Sequence, residues 1–134
     1  MFTVIAFGVW SLIGYNMVIY LAGLQSIPDM YYEAAKLEGA GSWRTFRDVT
    51  LPLLTGTTLF VTVVGVIGAF QVFNQVYIMT QGGPLNATTV IVYYIYQEAF
   101  QNYNGGTASA ASSVLFAILF VASILQIKLF TRRD

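Results

Sequence analysis

The chain has 134 residues, 57% of them apolar and 9% charged, whereas an ordinary soluble domain is about 25% charged. Six basic residues balance six acidic ones, and His and Cys are absent. Disulfide frameworks, thiol or imidazole catalysis, Cys/His metal sites and a basic nucleic-acid surface are excluded, and the composition is that of a membrane protein.

The charges cluster. None falls in residues 1–28, 49–97 or 99–127, and each stretch exceeds the roughly 20 apolar residues that cross about 30 Å of hydrocarbon. The first span, Met1 to about Leu24, lacks the basic leader of a cleaved signal peptide. Trp10 suits an interface or packing position, and Asn16 suits either a polar path or a bond between helices.

Residues 25–50 form a loop longer than a simple connection needs, holding Asp29, Glu33, Lys36, Glu38, Arg44, Arg47 and Asp48. Ser26, with Asp29 three positions on, predicts a hydroxyl-capped helix start. The helix then runs over 29–38 with Met30, Ala34 and Leu37 on one face, and Gly39 supplies a left-handed cap. Ser42 begins a second short helix through Arg47. The small Ala34 and Ala35 would let a partner's backbone approach, as in a docking element. The alternative is a charged loop that only sets topology.

The second span runs from Leu51 to Met79, with Pro52 tolerated in its first turn. Gly65, Gly68 and Ala69 offer a close-packing surface. Gln71, Asn74 and Gln75, beside Phe70, make a polar stripe at i, i+3, i+4, roughly 28 Å along the helix from Pro52. Such residues line a solute path or bond across helices. Thr80–Asn86 is a breaker cluster. Its Gly82-Gly83-Pro84 turn reads as structural, since no Lys follows to make a phosphate cradle.

Residues 80–106 are read as an extracytoplasmic turn followed by a helix over 88–103 lying on the surface or at the bundle's mouth. Tyr93, Tyr94, Tyr96 and Tyr103 suit a wetted interface there, and Glu98 reads as a solvated charge. The third span is Thr107 to Phe130, opening on the small residues 108–113, followed by a basic tail at 131–134. Three spans put Lys128, Arg132 and Arg133 on the same, cytoplasmic side as Lys36, Arg44 and Arg47, whereas four would not. The expectation is an all-α polytopic membrane helix bundle, completed by another chain or by further sequence.

Glu33-Ala34-Ala35, three residues, Gly39, nine residues and Val49-Thr50-Leu51-Pro52 resemble the EAA loop of ABC-type importer permeases, with Val49 where Ile is usual. Ala22–Pro28, Thr80–Pro84 with Tyr96 and Phe100, and Ala108–Leu115 are similar to the carbohydrate-uptake permeases. The resemblance covers essentially the whole chain. It implies that Glu33, Ala34, Ala35, Gly39, Leu51 and Pro52 belong to a coupling loop seated on a cytoplasmic ABC ATPase dimer. It implies as further partners a second permease subunit and an extracytoplasmic sugar-binding protein, in the inner or plasma membrane of a prokaryote. ATP belongs to the ATPase, so neither a catalytic residue nor a directly bound cofactor or metal is expected here. The same resemblance places sugar contacts at Phe70, Gln71 and Asn74, and at Ile13, Gly14 and Met17 of the first span, where Met17 replaces an aromatic.

Family members have a core of six spans, so the chain reads as a C-terminal half. Apart from Lys128 at the end of the third, the spans carry no charge, which favours a neutral, hydroxyl-rich cargo over phosphate esters or amino acids. Other ABC cargo (glycerol-phosphate, polyamine, peptide) and a non-transporting membrane scaffold are the alternatives.

Overall fold

A computed structural model describes residues 2–131. Met1, Arg132, Arg133 and Asp134 lie outside the described residues, and with them most of the expected basic tail. In chain order the elements are α1 (Phe2–Gln25), α2 (Asp29–Leu37), α3 (Ser42–Thr45), a π-wound turn (Phe46–Thr50), α4 (Leu51–Leu53), α5 (Thr55–Phe70), α6 (Asn74–Met79), α7 (Ile91–Tyr96), a second π-wound turn (Gln97–Gln101) and α8 (Gly105–Thr131). The described residues contain no strand.

Three helical stretches are long and apolar enough to cross a membrane: Ile5–Gln25, Thr55–Met79 and Gly105–Phe130. They are apolar all round and largely uncovered, with Trp10, Ile78 and Phe116 among their exposed side chains. A helix of that kind belongs in lipid or against further helices. The chain is therefore an all-α membrane protein.

The chain divides into two compact units, residues 12–62, and residues 63–134 with 1–11. In the first, the end of α1 approaches the start of α5 closely. A Cβ on Gly23 would lie 2.6 Å from Thr57 Oγ1 and 3.1 Å from Leu54 Cδ2, so only glycine fits. One turn earlier the Tyr20 hydroxyl donates to Thr58 Oγ1 at 3.3 Å.

The loop differs from expectation at two points. Helix α2 starts at Asp29 behind Pro28, with no side-chain cap, and the Ser26 hydroxyl donates back to the Gly23 carbonyl at 2.7 Å. Pro28, held at φ −61°, sets the entry angle instead. The second helix does not stop at Arg47. It passes through the π-wound turn into α4, and only Leu54, at ψ 1°, separates α4 from α5. Pro52 explains the π turn: it donates no hydrogen bond, and its ring crowds the carbonyl of Asp48, so the ladder loosens just before it.

The core of the second unit is small. Val76 is fully buried and Tyr93 is 3% exposed, with Val72, Phe73, Val90 and Tyr96 packed around them. The loop between α6 and α7 closes on itself here. Thr88, itself buried, donates to the Gly83 carbonyl and lies 2.8 Å from the Thr80 hydroxyl. Gly82 has φ +84°, and a Cβ there would lie 2.8 Å from Thr89 Oγ1. The tyrosines read as wetted interface anchors divide: Tyr94 and Tyr103 are exposed, whereas Tyr93 is a core residue. Helix α7 packs on α8, where Ala108 of the small-residue patch is buried. Gly65 and Gly68, expected at a close helix contact, meet nothing within 4 Å.

Candidate functional site

The residues expected to couple lie together in the first unit. Helix α2 ends in a Schellman motif: Gly39 at φ +71° turns the chain, its N–H donates to the Lys36 carbonyl at 3.0 Å, and the Ala40 N–H donates to the Ala35 carbonyl at 2.9 Å. The Glu38 N–H continues the ladder to the Ala34 carbonyl at 3.1 Å. No Cβ is obstructed at Gly39, so its glycine answers the left-handed backbone alone.

The two alanines do different things. Ala35 is buried in its own chain, and α2 packs against the π-wound turn, where the Tyr32 hydroxyl lies 3.4 Å from Thr50 Oγ1. Ala34 faces outward with Glu33, Met30 and Leu37, the last of these 90% exposed. The outer face of α2 is thus apolar and uncovered around one carboxylate. Leu51 and Pro52 are exposed on the segment leading into the second span.

The residues expected to meet solute divide between the units. Gly14 and Met17 are on α1, where a Cβ on Gly14 would meet open space and Met17 is exposed. Phe70, Gln71 and Asn74 are in the second unit, at one interruption of the second span. Phe70 ends α5, Asn74 begins α6, and Gln71, Val72 and Phe73 are not helical. The anticipated helical stripe therefore does not form, because the i, i+3, i+4 spacing holds only on an unbroken helix.

The interruption leaves polar backbone without partners. The Gln71 N–H still reaches the Ile67 and Gly68 carbonyls at 3.1 and 3.2 Å, and the Tyr77 N–H reaches the Phe73 carbonyl at 2.8 Å. Between them, the carbonyls of Gln71 and Val72 and the N–H groups of Val72 and Phe73 have no hydrogen-bond partner among the described residues. Each such group costs several kcal/mol in hydrocarbon, on the order of 4–8 without compensation. Within a membrane, non-helical backbone is tolerated only where it is buried in protein or meets water.

Gln71 opens into a cleft of about 460 Å³. Its other walls are Val92 and Ile95 of α7 and Ser112, Leu115, Phe116 and Leu119 of α8. Asn74 is exposed and does not line it. Ser112 and Phe116 were not legible as cleft residues: Ser112 sits in a small-residue run, and Phe116 looks like any apolar residue of a span.

Beyond the interruption, Phe73, Tyr77, Tyr93, Tyr96 and Phe100 form an aromatic chain with centroid spacings such as 5.3 Å for Phe73–Tyr77 and 5.4 Å for Tyr96–Phe100. The Tyr96 phenol is pushed above its ordinary value, first through hydrogen bonding with Tyr77, and stays protonated at physiological pH. Glu98, half-buried, accepts from the Asn102 amide at 2.8 Å. Among the described residues no group of His, Cys, Asp or Glu is placed to hold a metal.

Comparison with known proteins gives one family: residues 1–133 match the binding-protein-dependent transport system inner membrane component. A "Probable ABC transporter permease protein" of Brucella suis biovar 1 is 40% identical over 95% of this chain and 44% of its own length. The sn-glycerol-3-phosphate transport system permease protein UgpA of Agrobacterium fabrum is 37% identical over 99% of this chain and 46% of its own. The arabinooligosaccharides transport system permease protein AraP of Halalkalibacterium halodurans is 40% identical over 96% and 41%. The chain spans a little under half the length of each of these relatives.

Proposed function

Because the chain belongs to the family of binding-protein-dependent transport system inner membrane components, a family of multi-pass ABC permeases, we propose that it forms part of the translocation path of an ATP-driven sugar importer. The observation that carries this reading is the interrupted second span. Unpaired backbone and the amide side chains of Gln71 and Asn74 at membrane depth are intelligible beside a polar path and costly against lipid. Amides and an adjacent aromatic such as Phe70 suit the hydroxyls and apolar faces of a sugar.

Coupling falls to the loop of the first unit. Helix α2 docks through Met30, Glu33, Ala34 and Leu37 on a cytoplasmic ATPase dimer, with Gly39 fixing the exit. The unbroken run from Ser42 to Leu53 passes the movement to Pro52 and α5. Ala35 seats α2 on its own chain and does not meet the partner. ATP stays on the ATPase, a second permease subunit completes the bundle, and an extracytoplasmic binding protein delivers the solute.

A second cargo, glycerol-phosphate, is favoured by the 37% identity to UgpA. Against it, the one charge within the three spans, Lys128, is exposed in the last turn of α8, and a phosphate ester favours a buried cation. Uptake of labelled sugars and of glycerol 3-phosphate by the assembled transporter decides between them. Sugar uptake falling at least about tenfold in Gln71→Leu and Asn74→Leu is the expected result. Unchanged uptake in both variants removes the site.

A further inference from the structure

We infer that Ser112 and Phe116 of the third span complete the solute site with Gln71, and that their cleft sets the size of sugar the path accepts. This rests on the sugar-importer reading and adds a third span to it. Three observations meet at one place. Gln71 belongs both to the interruption, whose unpaired backbone requires a wet or polar surround, and to the wall of the cleft. Gln71 is the residue the interruption and the cleft wall share, and Ser112 adds a second polar side chain to that wall.

Its volume, about 460 Å³, lies within the roughly 300–1,000 Å³ of small-molecule sites. Its chemistry is that of a sugar ring's surroundings. The Gln71 amide offers two donors and an acceptor. The Ser112 hydroxyl donates to the Ala108 carbonyl at 2.9 Å, which aligns its oxygen as an acceptor. Phe116 is 69% exposed and offers an apolar face of the kind that sugar rings stack on. Ser112 is a small residue at a cleft wall, so a larger side chain there would shorten the space without altering the amide.

The chain contains no cysteine, which makes single-cysteine probing clean. In the assembled transporter, the variants Ser112→Cys, Gln71→Cys and Val121→Cys, the last nine positions from Ser112 on the opposite face of α8 and outside the cleft, are treated with a membrane-impermeant methanethiosulfonate, and labelling of this chain is read by mass. Expected are labelling of the Ser112→Cys and Gln71→Cys variants and none of Val121→Cys. Labelling of Ser112→Cys is expected to slow at least about threefold with whichever of glucose, arabinose or maltose is transported, since a solute in the cleft covers that position. In uptake, Ser112→Phe is expected to lower the maltose-to-monosaccharide rate ratio at least about fivefold. Labelling of Gln71→Cys but not of Ser112→Cys overturns the inference and leaves the importer reading standing. An unchanged sugar-size preference in a membrane-inserted Ser112→Phe does the same. Absence of uptake of every sugar by the wild type overturns the importer reading, and the inference with it.

Discussion

The chain stops being helical at two functionally suggestive places, and it stops in opposite ways. At Gly39 the end of α2 is closed: φ +71° brings the N–H groups of Glu38, Gly39 and Ala40 back onto the carbonyls of Ala34, Lys36 and Ala35. At residues 71–73 the second span is open, with two carbonyls and two N–H groups left unpaired among the described residues. A closed end holds a shape and presents it, here an apolar face around Glu33. An open end leaves hydrogen-bonding capacity that water or a solute must fill. One suits a lever and the other a path.

The largest effect is expected where the closed end is broken. Gly39→Arg forces a side chain into the left-handed region at about 1–2 kcal/mol, and Glu33→Lys reverses the charge on the outer face of α2. Either is expected to reduce ATP-driven uptake more than about tenfold with membrane levels unchanged, measured by transport and quantitative blotting. Survival of uptake in both separates the loop from coupling. A middle effect is expected at the module anchoring the open end. Gly82→Ala places a methyl against Thr89 and Tyr93 at φ +84° and is expected to destabilise by about 1–3 kcal/mol, read as a lower Tm in detergent. The smallest concerns charge near the closed end. Arg44 and Asp48 are 3.5 Å apart with side chains 69% and 55% exposed. Arg44→Gln is expected to change stability by under about 0.5 kcal/mol by thermal unfolding, which would confine the closed end's role to its backbone turn.

Much of this was legible in advance. Charge-free runs of apolar residues have few fates other than lipid, so the spans followed from composition along the chain. Gly39 followed because a helix that must turn sharply needs a residue tolerant of positive φ. The interruption at 71–73 was not legible. No Gly or Pro marks it, and Gln71-Val72-Phe73 reads as helix by pattern. What holds it open is tertiary: Val76 and Phe73 pack into the Tyr93 core, and that packing competes with helix continuity. Ser26 departs from the expected cap for a related reason: its hydroxyl has a nearer carbonyl at Gly23, and Pro28 begins the turn unaided.

Amino-acid order alone determined that the chain lives in a membrane, where its apolar spans lie, and which loop carries the EAA-like motif, because desolvation of charge and backbone handedness act locally. Tertiary packing decided the rest. It turned Ala35 inward and left Ala34 outward, made Tyr93 a core residue, broke the second span beside Gln71, and brought Ser112 and Phe116 to the same cleft. Those outcomes depend on contacts between residues far apart in the chain, which no local spacing encodes.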